Sequence, residues 1–177
     1  MWNMRRHRRR VVNDQRNRRG YPMRLSFDLD GVIAETDKWF FRMLNVFHEL
    51  GHESQELYLM EMNYYANRPL KHHPNFFLAN GDEGIIITAR KPKARRETEK
   101  WLRNHGIDLE IVFIDGNDDI DWTNYPEASR KAGAYKADTI KRLGVDCHFD
   151  NNPYVVQEVR KLLAGVKVIQ IGGERGE

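Results

Sequence analysis

Five short apolar runs, separated by stretches with helical spacing, set the fold class. They are Arg24–Asp28 (RLSFD), Gly84–Thr88 (GIIIT), Ile111–Ile114 (IVFI), Cys147–Asp150 (CHFD) and Val166–Ile171 (VKVIQI). Their apolar character is near-continuous rather than alternating, as a parallel strand covered on both faces requires. Helical patterns fall between them. Asp37 caps a run to about Leu50, with Phe40, Phe41, Leu44, Phe47 and His48 at helical spacing and Gly51 as its stop. Lys93–His105 reads as a second helix ended by Gly106, Tyr135–Leu143 as a third ended by Gly144, and Pro153–Leu163 as a fourth with proline in its first turn. Strands alternating with helices predict right-handed crossovers and an α/β, doubly wound parallel sheet. Ligands of such sheets bind beyond the carboxyl ends of the strands.

Residues 51–83 break the rhythm. They hold Tyr58, Tyr64, Tyr65, Phe76, Phe77, His72, His73, Pro69 and Pro74, too long and too aromatic for an ordinary connection, and read as a small cap insert over the strand ends. The first 22 residues lack apolar periodicity and read as a disordered basic leader. They also dominate the charge. Of 29 Lys and Arg and 26 Asp and Glu, nine arginines and a single acid lie in residues 1–24, so residues 25–177 carry 20 basic and 25 acidic groups, a net of −5. The overall +3 therefore describes the leader rather than the body. Met23 stands directly before the first strand, and Arg18-Arg19 lies where a purine-rich ribosome-binding site read in frame would fall, so a native start at Met23 is expected. No window approaches the roughly 18 apolar residues of a membrane span, and a soluble, cytoplasmic protein is expected. The single cysteine, Cys147, sits in an apolar run as a core residue and agrees with a reducing compartment.

Acids mark the strand ends. The first strand closes on Asp28-Leu29-Asp30-Gly31, the fourth on Asp150-Asn151-Asn152-Pro153 and the second on Thr88-Ala89-Arg90. Adjacent parallel strands would bring Asp28, Asp30, Thr88 and Asp150 to one rim, where like charges repel and a divalent cation relieves them. Oxygen-only donors favour Mg²⁺ over zinc or copper. A calcium loop is excluded, because Val32, Ile33 and Ala34 follow Gly31 where further ligands would be needed. His48 and His52 are separated by a helix-breaking glycine, and His72-His73 before Pro74 reads as a loop feature. The acidic stretch Asp115, Asp118, Asp119 and Asp121 reads as a solvated loop. Packing beneath the insert is favoured for Tyr64, Tyr65 and Phe76 over stacking on a nucleobase.

In order and spacing FDLDGV at 27–32, IIITAR at 85–90, Lys136 in YKADTIKRLG and HFDNNP at 148–153 resemble the four motifs of the haloacid dehalogenase-like (HAD) superfamily. The resemblance spans residues 24–171 and implies a Rossmann-like five-stranded sheet in the order 5-4-1-2-3. It implies Asp28 as the nucleophile that forms an aspartyl-phosphate, with Asp30 as general acid and then base. It places the substrate phosphate against Thr88, Ala89, Arg90 and Lys136, with Lys136 offsetting negative charge. It assigns Mg²⁺ to Asp28, the main-chain carbonyl of Asp30, Asp150 and Asn151. One departure is that Asn151 and Asn152 stand where relatives often carry a second acid; an amide ligates Mg²⁺ through its oxygen or bonds a metal-bound water. Lys131 competes with Lys136, which opens the third expected helix. The resemblance implies a phosphomonoester hydrolase of a nucleotide or another small phosphorylated metabolite. The rival readings are a phosphatase of polynucleotide ends gripped by the basic leader, and a non-catalytic binding module of the same fold.

Overall fold

A computed structural model describes residues 21–36, 40, 43, 46, 47 and 54–172. The leader over 1–22, all but its last two residues, and most of the helix expected over 37–50 lie outside them, as do His48 and His52. The strands are β1 (Arg24–Phe27), β2 (Glu83–Thr88), β3 (Glu110–Phe113), β4 (Cys147–Asp150) and β5 (Lys167–Gln170). All neighbours pair in parallel, in the order β3-β2-β1-β4-β5. This is the expected 5-4-1-2-3 order read from the other edge.

The pleat sorts each apolar run onto two faces. Ile85 and Ile87 of β2 join one buried cluster and Ile86 the other. Leu25, Phe27, Cys147 and Phe149 share the second cluster with Trp101 and Leu102 of α2 (Arg95–Asn104). Successive strand residues point to opposite faces. Ser26 and His148, which lie opposite each other in the β1–β4 register, therefore face the other way. That face is covered by α3 (Tyr125–Leu143) and α4 (Pro153–Leu162), through Ile140, Val155, Val156 and Val159.

Helix α3 corrects the expected Tyr135–Leu143, for it begins ten residues earlier. The extra turns, YPEASRKAGA, look like a loop because Gly133 and Ser129 are poor helix formers. They serve close packing instead. A Cβ on Gly133 would lie 3.2 Å from the Val155 Cα and 3.0 Å from the Glu158 Cβ of α4. Ala128, Ser129 and Ala132 are buried on the same face. The expected Lys93–His105 helix likewise starts with a 3₁₀ turn, Pro92–Ala94. Gly144 ends α3 in the left-handed conformation at φ 63°, as its sequence position predicts.

The described part of the insert holds α1 (Gln55–Ala66), capped by the Ser54 hydroxyl, and a 3₁₀ turn at Pro74–Phe76. It is tied to the body by backbone hydrogen bonds from Glu35 to Pro69 and from Lys71 to Ile33, and by the Trp101 Nε1–H, which donates to the Arg68 carbonyl at 2.6 Å. Among the described residues, no helix is long and apolar enough to cross a membrane.

Candidate active site

The carboxyl ends of β2, β1 and β4 lie side by side, and the polar residues of three motifs meet there. The Asp28 N–H donates to the Phe149 carbonyl at 2.8 Å, so pairing with β4 continues one residue past β1. Asp28 and Asp150 thus end on the same face, the one covered by α3. From that helix the Lys136 ammonium donates to Oδ1 of Asp28 at 2.8 Å and to Oδ2 of Asp150 at 2.6 Å. Lys136 lies in the middle of α3 rather than at its start. Lys131 is exposed and donates instead to the Asp119 carbonyl at 2.6 Å.

Asp30 is held from two sides. Arg90 binds it in bidentate fashion, Nε to Oδ2 at 2.9 Å and Nη2 to Oδ1 at 2.8 Å, and Arg68 of the insert also donates to Oδ1. Each guanidinium lies against a tyrosine of α1, Arg90 under Tyr65 at 4.2 Å and Arg68 under Tyr64 at 4.7 Å. Arg90 also donates to Thr98 at 3.0 Å. Its buried side chain is thereby paired with Asp30 and Thr98. Thr88, the last residue of β2, is fully buried, and its oxygen accepts the Arg90 N–H at 3.1 Å. Its own O–H is left to donate. Ala89 packs against the core cluster beside α3.

The charges are unevenly matched. Asp30 has two guanidiniums, whereas Asp28 and Asp150 share one ammonium. Burial pushes the Asp28 carboxyl up to about 7, against the pull of Lys136 and with the repulsion of Asp150 and Asp30 adding to the rise. Burial also opposes ionisation of Asp30, but Arg90 and Arg68 outweigh it and hold the group at about 2. Asp150 is held well below the carboxylate range, since Lys136 and His148 overcome its desolvation. Lys136 stays protonated because the two aspartates outweigh its burial.

The donor set determines what cation fits. Among the described residues no three His, Cys, Asp or Glu side chains gather as a metal cluster. Asp150 is fully buried, with Oδ2 taken by Lys136 and His148 and Oδ1 by the Asn152 N–H at 2.9 Å. Both of its oxygens thus have protein partners. Asn151 lies over Gly31, whose φ of +85° admits no side chain without strain, and its amide occupies the space a Cβ there would need. The under-compensated Asp28 carboxylate and the side-chain amide of Asn151 beside Gly31 offer hard oxygen donors. This chemistry fits Mg²⁺.

Some residues at the site have no motif in the sequence. Arg68 lies within the insert, where only its position before Pro69 stands out. Ser26 and His148 sit inside apolar strands, and the reversal of polarity at a core position is their signal. Of the insert aromatics, Tyr65 is buried as expected of packing, while Phe76 is 81% exposed. His73 caps its own turn, consistent with a loop role. A second aromatic group, Trp122, Tyr125 and Tyr154, stands where α3 and α4 begin, and the Asn152 amide donates to the Tyr125 hydroxyl at 3.0 Å.

No family model matches the chain, and no curated protein matches it. Solved structures do. A chain of the Pnkp1/Rnl/Hen1 RNA repair complex is 19% identical over 88% of this chain and 44% of its own length, with a TM-score of 0.59. The present chain thus spans less than half of that protein. The HAD domain of effector protein Lem4 from Legionella pneumophila matches at 13% identity and TM-score 0.44, covering 89% and 88% of the two chains. A HAD family enzyme from Bacteroides thetaiotaomicron, in complex with magnesium and inorganic phosphate, matches at 11% identity and TM-score 0.45, covering 88% and 96%. The chain shares the fold of that chain of the RNA repair complex: an α/β, Rossmann-like, five-stranded parallel sheet whose first strand is central.

Proposed function

We propose that the chain is a Mg²⁺-dependent phosphomonoester hydrolase that works through an aspartyl-phosphate on Asp28. The observation that carries this reading is the shared ammonium: Lys136 bridges Asp28 and Asp150 at the ends of two adjacent parallel strands, with Asp30 two residues away. An isolated carboxylate trio would be a poor place for a phosphate. Here the Lys136 ammonium and the Thr88 hydroxyl supply compensating donors, and a cation held by Asp28 would neutralise further charge.

In the first half-reaction a carboxylate oxygen of Asp28 attacks phosphorus, the P–O bond to the alcohol breaks, and the bond electrons leave with the alcohol oxygen. In the second, water attacks the same phosphorus, the Asp28–phosphorus bond breaks and inorganic phosphate departs. Lys136 holds Asp28 in place and offsets charge on the transferring group. A bound Mg²⁺ would lower the pKa of Asp28 and neutralise phosphoryl charge, held by Asp28, Asn151 and the carbonyl of residue 30. Asp30 stands ionised between two guanidiniums, in the form that takes a proton from the attacking water, and the same pairing makes it a weak base. Giving one to the leaving oxygen requires it to be protonated first, so esters of acidic alcohols turn over fastest. Residues 51–83 act as a small cap, a role supported by the placement of Arg68 and Tyr65 on the Asp30 side of the site.

The substrate is a small phosphorylated metabolite, and a nucleotide fits the aromatic group at the start of α3 and α4. Phosphate release from a panel of monoesters, with and without Mg²⁺, tests the reading. Turnover that needs Mg²⁺ and is lost in Asp28→Asn is expected; release no faster than that of Asp28→Asn overturns it. A second reading, hydrolysis at polynucleotide ends, is favoured by the likeness to a chain of an RNA repair complex. Phosphorylated oligonucleotides compared with mononucleotides over a salt series separate the two, because contacts along a phosphate backbone weaken steeply with salt.

A further inference from the structure

Directly beneath the nucleophile, the sheet contains two polar residues where apolar ones would be ordinary. Ser26 and His148 are both fully buried, on the central strands β1 and β4, and opposite each other in register. The Ser26 hydroxyl lies 2.8 Å from His148 Nδ1, and His148 Nε2 lies 3.3 Å from Oδ2 of Asp150. That oxygen also receives Lys136, whose ammonium reaches Asp28. Asp150 as a carboxylate only accepts, so Nε2 carries the ring proton and donates to it, and Nδ1 accepts from Ser26. Burial keeps the imidazole neutral, pushing its pKa down.

We propose that Ser26 and His148 are positioning residues that aim Lys136 at the nucleophile: Ser26 fixes the His148 tautomer, His148 fixes the Asp150 carboxylate, and Asp150 fixes the ammonium on Asp28. Stability alone gives little reason for the arrangement. Buried polar groups must be fully paired to avoid a desolvation cost, and apolar residues of similar size commonly serve a sheet interior as well or better. The two polar positions also share the pleat face of Asp28 and Asp150, so the polar stripe runs along two strands straight to the reacting carboxylate. Asp150 with Lys136 alone could rotate. With Oδ2 shared between Nζ and Nε2 and Oδ1 held by the Asn152 N–H, it has one orientation.

This inference rests on the proposed phosphatase reading, and its test separates the two. Hydrolysis of p-nitrophenyl phosphate in Mg²⁺ is measured for wild type, His148→Leu, His148→Gln and Ser26→Ala, alongside melting temperature and inhibition by orthovanadate. Gln carries an Nε2 donor close to that of the imidazole; Leu does not. His148→Leu is expected to melt near wild type yet lose at least about tenfold in kcat with KM within about twofold, with vanadate inhibition weakened in parallel. His148→Gln is expected to recover most of kcat. A folded His148→Leu with wild-type kcat, or a folded His148→Gln as impaired as His148→Leu, overturns the proposal. Should His148→Leu not fold, Ser26→Ala decides: a drop in kcat of about threefold or more at unchanged KM supports the proposal, and wild-type kcat overturns it. A wild-type protein that releases no phosphate from any monoester fails the phosphatase reading itself, a result distinct from active wild type with unaffected variants.

Discussion

The guanidinium of Arg68 meets the carboxylate of Asp30 across 38 residues of sequence, and its backbone carbonyl is held in turn by the Trp101 indole of the main body. The segment between β1 and β2 thereby places a positive charge on the second aspartate of the first motif. The pair has a measurable consequence for stability. Asp30 sits at about 2 in the folded protein against 3.8 when unfolded, so its ionised form favours the fold. That contribution is present above pH 4 and is lost as pH falls toward 2. Arg68→Met removes one of its two guanidiniums. The variant is expected to melt below wild type above pH 5, by an amount corresponding to about 1–3 kcal/mol, and the gap narrows as pH falls from 4 to 3. Melting curves across pH in chelator check this; a gap constant with pH refutes it.

Asp28 has the opposite sign. Its folded value of about 7 exceeds the unfolded 3.8, so the folded state binds the extra proton between these values. Its contribution is present below pH 4 and is lost as pH rises through 7, where folding must accept a buried, under-compensated charge. In chelator, Asp28→Asn is therefore expected to melt higher than wild type at pH 8 and close to it at pH 5. Added Mg²⁺ should raise the melting temperature of wild type at pH 8 more than that of Asp28→Asn. Equal Mg²⁺ responses would show that Asp28 is not a ligand.

The fold and half of the site could be read from residue pattern because both depend on local rules. Parallel strands buried on two faces need unbroken apolar runs, and the chain has five. Asp28, Thr88 and Asp150 were visible as the polar residues that end three of those runs. What could not be read depends on packing between distant segments. Gly133 and Ser129 look like helix breakers, and only the proximity of α4 turns small size into an advantage. The resemblance implies Arg90 as a phosphate contact but gives no sign of its pairing with Asp30, which it reaches together with an arginine from an insert without a motif. Asp150 was legible as an acid at a strand end, but its orientation toward Lys136 and His148 is set by α3 and by the β1–β4 register.

The crossing of α3 and α4 gives a prediction remote from the chemistry. Gly133 faces Val155 backbone atoms at 3.2 and 3.3 Å from where a Cβ would stand. Backbone yields less than a flexible side chain, so Gly133→Leu must push the helices apart. A loss of about 2 kcal/mol is expected, as overpacking of a well-filled contact commonly costs. Because Lys136 is one turn further along α3, kcat should also fall. Urea melts of Gly133→Leu measure the first effect and phosphate release the second; a stability equal to wild type would mean that the helices do not pack as closely as described.

Substrate choice is expected to lie with the aromatic group at the start of α3 and α4. Tyr125 is 51% exposed, its ring is 6.5 Å from Trp122 and 6.3 Å from Tyr154, and Arg130 lies over Tyr154 at 5.2 Å. The Asn152 amide, two residues past Asp150, bonds the Tyr125 hydroxyl, so the rings begin at the rim of the candidate site. An uncharged flat group such as a nucleobase would gain by stacking on these rings. Such stacking is worth about 1–3 kcal/mol per base. Tyr125→Ala should therefore raise KM for nucleoside monophosphates at least about fivefold while changing KM for glycerol phosphate little. Tyr125→Phe separates the ring from the hydroxyl: it keeps the stacking face, loses the bond to Asn152, and should retain the preference for nucleoside monophosphates. Equal effects of Tyr125→Ala on both substrates would assign the residue to the support of Asn152 and Asp150 instead of to substrate choice.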